Sequence, residues 1–131
     1  MALATAAESF VGVPFRLHGR DPAYGLDCVG LVAAALATIG RPARAPSGYR
    51  MRQVRIDGLL DAARRSGLAE AVGPIVPGDI VLARPGPGQF HLAIAAKAGG
   101  VVHAHAGLGR VVLAPPPLAW PVEHRWRLVA E

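Results

Sequence analysis

The second half of the chain is divided into short β-type runs, each bounded by glycine or proline, and this division restricts the fold more than any other feature. Five runs are predicted, at residues 79–83, 91–96, 101–106, 110–114 and about 124–129. The first half instead shows helical spacing of its apolar residues, over 3–12, about 28–39 and about 54–66. Helices followed by strands predict an α+β domain, with N-terminal helices packed on an antiparallel sheet of about five strands.

The size and apolar content of the chain are those of one domain with a substantial core. Its 131 residues are 52% hydrophobic, so we expect a single domain over residues 1–131. The single cysteine excludes an internal disulfide framework, and a lone thiol is best kept reduced in the cytoplasm. The N-terminal stretch lacks the basic start of a signal peptide, and the apolar runs are too short for a membrane span. We therefore expect a protein that is cytoplasmic as synthesised and does not bind membranes.

The formal net charge is +5, which raises the question of an anionic partner. The arginines that contribute most of this charge are Arg41, Arg44, Arg50, Arg52, Arg55, Arg64, Arg65, Arg125 and Arg127. Aromatic residues are only 5% of the chain, so the arginines are not interleaved with rings on which single-stranded bases could stack. An anionic small or polymeric substrate is therefore favoured over nucleic acid.

The one cysteine stands in the stretch GLDCVGLVAAAL, at the predicted start of the second helix. Asp27 is predicted to cap this helix, and positions 28, 32, 35, 36 and 39 form one apolar stripe. Cys28 is then either a small core residue or a nucleophile at the edge of the buried face. As a nucleophile, it would have its thiolate stabilised by the helix N-terminus and a neighbouring imidazolium. Its backbone N–H would be available to a developing oxyanion, with the Asp27 carboxylate turned into the cap.

Three histidines in the predicted strands are candidates for the proton carrier. His103 and His105 lie on one face of their strand, and His91 shares a face with small alanines. A tight turn with Gly99 and Gly100 as its two central residues would put His91 and His103 on opposite faces of the sheet. If these histidines act together, the connection must therefore be an odd-numbered loop or contain a bulge.

A cysteine and two histidines have a plausible joint chemistry. One histidine takes the thiol proton and later gives it to the leaving amine, while a third polar group orients that ring. The alternative is a zinc site formed by Cys28, His91, His103 and His105, but zinc does not require its cysteine at a helix N-terminus after a glycine-rich loop. We therefore expect no metal and no cofactor.

The blocks that carry these residues resemble the NlpC-type cell-wall peptidases, a branch of the papain-like cysteine peptidases. The blocks read GVPFRLHGRDPAYGLDCVGLV, PGDIVLA and HLAIAAKAGGVVHA, in order over about residues 10–113. The resemblance implies an α+β papain-like fold, with Cys28 as nucleophile, His91 as general base and acid, and His103 as the residue that orients His91. It prefers His103 to His105 because His103 falls in the V-H-A block. It also implies cleavage of peptidoglycan stem peptides, commonly between a γ-linked D-glutamate and a diamino acid.

The chain departs from the family pattern at the nucleophile. Phe15 stands where a tyrosine is usual, Val29 replaces a serine, and the loop between Phe15 and Cys28 is about one residue longer. His18, Tyr24 and Asp27 in that loop are candidate substrate-binding or oxyanion residues. Family members of this length without a signal peptide occur in phage tail and tail-like gene cassettes, which predicts such a particle as partner and as the means of delivery to the cell wall.

Two other functions stay open on the sequence. One is an amidase or acyltransferase that uses the same cysteine and histidines, and the other is a structural tail protein with little catalysis, which Phe15 and Val29 favour. Outside the site, Asp79 is predicted to be a turn residue and His124 to be structural. The two tryptophans, Trp120 and Trp126, are predicted to cover the sheet.

Overall fold

The computed structural model describes residues 1–41, 43, 56–87 and 89–129. The helices are α1 (Ala2–Ser9), α2 (Cys28–Thr38) and α3 (Ile56–Arg65). The strands are β1 (Arg20–Asp21), β2 (Gly25–Leu26), β3 (Leu68–Glu70), β4 (Ile80–Gly86), β5 (Gln89–Ala95), β6 (Val101–His105), β7 (Arg110–Ala114) and β8 (Val122–Leu128). Strands β3-β8-β4-β5-β6-β7 form one antiparallel sheet in that order, and β1 and β2 form a separate ribbon.

The predicted α+β class and all five predicted strands are confirmed. The main sheet has a sixth strand, β3, which follows α3 and pairs with β8 from Leu68↔Leu128 to Glu70↔Trp126. The ribbon β1–β2 lies in a segment that the sequence predicts to be a loop. These strands are two or three residues long, too short to show an alternating pattern in the sequence.

The helices are close to their predicted ranges. Helix α1 ends at Ser9 instead of residue 12, because the amides of Phe10 and Val11 bond only three residues back and Gly12 adopts a φ of 97°. The chain from Gly12 to Phe15 then runs beside β7. The first residues of the predicted third helix, including Val54, lie outside the described residues. None of the helices in the described ranges combines the length and the apolar character needed to cross a membrane.

The core lies between the helices and one face of the sheet. The predicted stripe of α2 is confirmed, since Cys28, Val32, Ala35 and Leu36 are buried and Ile39 packs against the core at its edge. The sheet contributes the even-numbered residues of its central strands to the same cluster: Leu82, Leu92, Ile94, Val102 and Ala104. Because side chains alternate along a strand, the odd-numbered histidines of β5 and β6 lie on the other face.

The β5–β6 connection meets the condition that the histidines impose. Ala95 pairs with Val101, and the amide of Ala96 bonds the carbonyl of Gly100 at 3.0 Å, which leaves residues 97–99 as an odd-numbered loop. Gly99 and Gly100 have φ values of 96° and 75°, which favour glycine. The two glycines are therefore not the central pair of a simple turn, and His91 and His103 share one face, as predicted.

Candidate active site

The start of α2 is held by the carboxylate of Asp27, which is fully buried. It accepts hydrogen bonds from the backbone N–H of Gly30 at 2.8 Å, from the backbone N–H of His18 at 2.8 Å and from Nη1 of Arg20 at 3.0 Å. The predicted orientation of the carboxylate into the helix cap is confirmed. Arg20, which the sequence did not single out, balances the negative charge next to Cys28.

Glycines let the loop before α2 cross over its first turn. A Cβ atom on Gly30 would overlap the carbonyl oxygen of Gly19, and a Cβ on Gly19 would overlap the carbonyl of Gly25. Gly30 is the glycine of the D-C-x-G block, so its role is to allow a close backbone approach. This crossing places the loop backbone directly against the helix that starts at Cys28.

The thiol of Cys28 is buried, with 3% of the residue exposed. Burial and the charge of Asp27 raise its pKa, the backbone N–H groups of Leu92, Val29 and Cys28 lower it, and the net pKa is about 11. The prediction of a stabilised thiolate is therefore wrong for this structure, because the cost of desolvating the charge exceeds the contribution of the helix N-terminus. The resting group is a neutral thiol.

The two histidines of the resemblance are in direct contact. Nε2 of His91 and Nδ1 of His103 are 2.9 Å apart, and both residues are buried. One of the two nitrogens must carry the hydrogen of this bond. If His91 is the donor, its Nδ1 keeps a free lone pair and can take a proton from a thiol. His105 does not take this place, because its Nδ1 accepts the backbone N–H of Leu108 at 3.0 Å.

The imidazoles are uncharged at neutral pH. Burial, together with the nearby His103 and His105, lowers the pKa of His91 to about 4. Burial and His105 also lower the pKa of His103. Among the described residues, the imidazolium expected beside Cys28 is therefore not present. The resting site contains a neutral thiol and neutral imidazoles.

Strand β5 carries His91, and its next residue contacts the Cys28 thiol. The thiol lies against the backbone N–H of Leu92, the residue that follows His91. Within the described residues, no hydrogen bond joins the Cys28 sulfur to the His91 ring. His91 therefore bonds directly to His103, and the thiol of Cys28 contacts Leu92, the next residue of β5.

A cavity of about 300 Å³ opens beside the histidine pair. Its walls include Gln89, Phe90, His91, His103 and Trp120, and Cys28 is not among the residues that line it. Trp120 was predicted mainly to cover the sheet, with a place in a substrate groove as the minority interpretation, and its contact with the histidine pair was missed. Its ring centroid lies 5.4 Å from that of His91 and 5.4 Å from that of His103. Its position after three prolines and before the last strand gave no signal of this contact.

Solved structures with the same architecture place this site in a known fold. The chain matches the NlpC/p60 domain of the peptidoglycan hydrolase SagA, with 22% identity, a TM-score of 0.65 and 97% of each chain covered. It also matches NlpC1 from Trichomonas vaginalis, with 21% identity, a TM-score of 0.67 and coverage of 95% of this chain and 43% of that one. The chain has the NlpC/p60 fold.

A further match to the NlpC/p60 fold is the peptidoglycan hydrolase RipB from Mycobacterium tuberculosis. It shares 24% identity and a TM-score of 0.62, with 99% of this chain and 64% of that chain covered. The chain thus spans nearly all of the SagA domain but less than two thirds of the other two proteins. Neither a protein-family model nor a curated protein matches it.

The loop candidates His18 and Tyr24 do not line the cavity beside the histidine pair of this NlpC/p60 fold. Tyr24 is 70% exposed in the turn between β1 and β2, and His18 is exposed with its backbone N–H on Asp27. Phe15 is half-buried, bridges Leu26 and packs against the core. Among the described residues, no group of three or more His, Cys, Asp or Glu is placed to hold a metal ion.

The G-D-I-V block of the NlpC/p60 fold has a structural role that the sequence underestimated. Asp79 is fully buried and accepts hydrogen bonds from Nη1 of Arg125 at 3.0 Å and from Nε and Nη2 of Arg127 at 2.7 and 2.9 Å. Burial raises the pKa of Asp79, but these bonds and one from the Val76 amide together hold it below its usual value. Asp79 is more than a turn residue, since it ties β8 to the start of β4.

His124 makes structural contacts, as predicted, and neither it nor Trp126 lines the cavity beside the histidine pair. The His124 ring stacks on Trp126, with centroids 5.9 Å apart, and its Nδ1 is 3.2 Å from the Glu70 carboxylate. Trp126 is buried in the core of the sheet.

Proposed function

We propose that this protein is a cysteine endopeptidase that hydrolyses peptidoglycan stem peptides. The observation that carries the proposal is the 2.9 Å hydrogen bond between His91 and His103. Leu92, which follows His91 in β5, contacts the Cys28 thiol through its backbone N–H. The NlpC/p60 fold of two peptidoglycan hydrolases supports the substrate class. The sequence blocks support the scissile bond, between a γ-linked D-glutamate and a diamino acid.

In the proposed first step, the thiol turns from the Leu92 amide toward His91. Nδ1 of His91 takes the Sγ proton as the sulfur attacks the carbonyl carbon of the substrate. Nε2–H of His91 donates to Nδ1 of His103, so His103 fixes the tautomer that keeps Nδ1 basic. The first backbone N–H groups of a helix have no partner within it, so the N–H of Cys28 is available to the oxyanion.

In the second step, the tetrahedral intermediate breaks its C–N bond. The imidazolium of His91 returns the proton to the leaving amine, and the acyl group stays on sulfur as a thioester. Neutral His91 then takes a proton from water, which attacks the thioester carbonyl. Collapse of the second intermediate releases the acid product and returns the proton to the Cys28 sulfur.

The neutral resting state fits this general-base route better than a preformed ion pair. With a thiol pKa of about 11 and an imidazole pKa of about 4, the proton stays on sulfur until the carbonyl is in place. Proton transfer and attack on the substrate then occur together, so the reaction needs no exposed thiolate in the free protein.

The test is incubation with purified peptidoglycan and mass spectrometry of the soluble products. We expect fragments with the intact protein and none with Cys28→Ala, and the fragment masses name the bond. His103→Ala should lose at least about tenfold in rate, whereas His105→Ala, on the same face of β6, should lose much less. A folded, reduced protein that releases no fragments from several wall types would overturn the proposal.

The buried thiol favours one second candidate, a structural protein with the same fold and little catalysis. Cys28 is 3% exposed and has no hydrogen bond to His91 among the described residues. This candidate predicts that Cys28→Ala changes no measurable property except the loss of the thiol. An acyltransferase would instead transfer the acyl group of the same thioester to an amine or lipid, whereas an amidase would hydrolyse a different amide bond to an acid and an amine.

The delivery route is a separate proposal that rests on the sequence resemblance. We propose that the protein reaches the cell wall from the cytoplasm as a part of a phage tail or tail-like particle. Peptide mass spectrometry of purified particles should then find this chain in them. Its absence from particles and presence in the free cytoplasmic fraction would contradict this route.

A further inference from the structure

Three aromatic rings form one closed cluster at the site. The ring centroids of His91, His103 and Trp120 are 5.1, 5.4 and 5.4 Å apart, close to an equilateral triangle. The interplanar angles are 89°, 87° and 85°, so each ring is perpendicular to the other two. Edge-to-face contact of this kind is the favoured geometry for aromatic pairs.

The sheet, and not a loose loop, sets the position of Trp120. The carbonyl of Pro121, the next residue, accepts the backbone N–H of Arg84 at 2.9 Å. Ala83 then pairs with Val122 on one side and with His91 on the other. Because Ala83 is small and lies between the two strands, the indole can extend over β4 to the histidine rings.

Trp120 also separates two cavities that share the histidines. The cavity of about 300 Å³ contains His91, and a second cavity of about 350 Å³ is lined by apolar residues such as Leu108, Leu113 and Leu118. Trp120, His103 and His105 line both. Removing the indole would join the two spaces and admit water to both faces of the histidine pair.

An indole beside two neutral imidazoles restricts them without competing for their hydrogen bond. It carries no charge, and its single N–H is a donor only, so it offers no nitrogen lone pair to either ring. The titratable or charged groups on the neighbouring elements of the described chain include His105 on β6, the Cys28 thiol against Leu92, and Arg84, which pairs with Glu123 at 3.1 Å and lies 5.5 Å from the ring of Phe90. Both rings are almost fully buried, and within the described residues the bond between them is the one hydrogen bond that their side chains make.

We propose that Trp120 is a positioning residue that holds the His91–His103 pair in one orientation and one tautomer and keeps water from it. Its consequence for hydrolysis rests on the function proposed above, but its effect on the two rings does not. The two failures are therefore distinguishable, because the rings can be observed without substrate.

The test is the long-range ¹H–¹⁵N spectrum of protein labelled in histidine, recorded from pH 4 to pH 8. The wild type should show one tautomer each for His91 and His103, with His91 neutral through most of this range and the pKa of His103 below its ordinary value. In Trp120→Ala, both should exchange between tautomers, His91 should titrate about one pH unit or more higher, and the pKa of His103 should move toward its ordinary value. Trp120→Phe should stay close to the wild type, and the distant His124 is the internal control.

Peptidoglycan cleavage by the same variants is the second readout. We expect Trp120→Ala to lose about 10- to 100-fold in rate and Trp120→Phe to recover most of it. If Trp120→Ala does not fold, Trp120→Leu, which is apolar but not planar, replaces it in both measurements. Wild-type tautomers and titration in the folded Ala or Leu variant, with His124 unchanged, would overturn the proposal even if the protein cleaves peptidoglycan.

Discussion

Alkylation of Cys28 tests the electrostatic description of the site directly, because the chain has no other cysteine and every adduct reports this thiol. Burial and the Asp27 charge raise its pKa from 9.0 to about 11. Two pH units correspond to about 100-fold less thiolate at neutral pH. A more basic thiolate is a better nucleophile, and a Brønsted coefficient of about 0.4–0.5 recovers roughly eightfold. The net expectation is a rate about tenfold below that of an ordinary cysteine, before steric protection slows it further.

The assay measures iodoacetamide adducts by intact mass from pH 6 to pH 10.5, on folded protein and on the same chain unfolded in urea. The unfolded chain is the matched reference because its thiol has an ordinary pKa. The folded rate should be at least about tenfold lower at pH 7.5 and should still be rising at the end of the range. A plateau below pH 7 would show a thiolate–imidazolium pair, and a folded rate equal to the unfolded one would show an ordinary, accessible thiol; either result would contradict the raised pKa.

The remaining predictions concern stability, measured as the free energy of unfolding in urea. Asp79→Asn leaves two arginines without their buried partner and should lower the free energy of unfolding by about 3 kcal/mol. As the control, Asp61→Asn removes an exposed pair with Arg65 and should lower it by less than about 0.5 kcal/mol. Equal effects would contradict the structural role of Asp79. Gly30→Ala should cost about 3 kcal/mol because the new Cβ overlaps the Gly19 backbone, while Gly58→Ala in α3 meets open space and should stabilise by up to about 1 kcal/mol. The pKa of His91 is lowered from 6.5 to about 4, so the unfolded chain binds the proton more readily than the folded one. The free energy of unfolding therefore falls as the pH drops from 6.5 to 4, and this residue accounts for about 3 kcal/mol of the loss. His91→Gln should show a correspondingly smaller loss between pH 6.5 and pH 4, and an identical pH dependence would count against the neutral buried ring.

Local pattern was sufficient for the elements that carry the site. The stripe on α2, the cap at Asp27 and the strands around His91 and His103 follow from the spacing of apolar residues and from glycine and proline positions. The odd-numbered loop followed from the requirement that two histidines share a face, since side chains alternate with a period of two. The ribbon could not be predicted because its two strands are only two residues long, and β3 could not because it is short and pairs with the distant strand β8.

By itself, the sequence determined the α+β class, the place of Cys28 at a helix start and the condition under which His91 and His103 share one sheet face. Only the tertiary structure decided that His103 and not His105 bonds His91, that Trp120 closes the ring cluster, and that Asp79 holds two arginines. It also decided that the thiol is neutral, against the expectation from its helix position. The physical reason is that periodicity acts over a few neighbouring residues, whereas desolvation and ring contacts are set by groups brought together from distant parts of the chain.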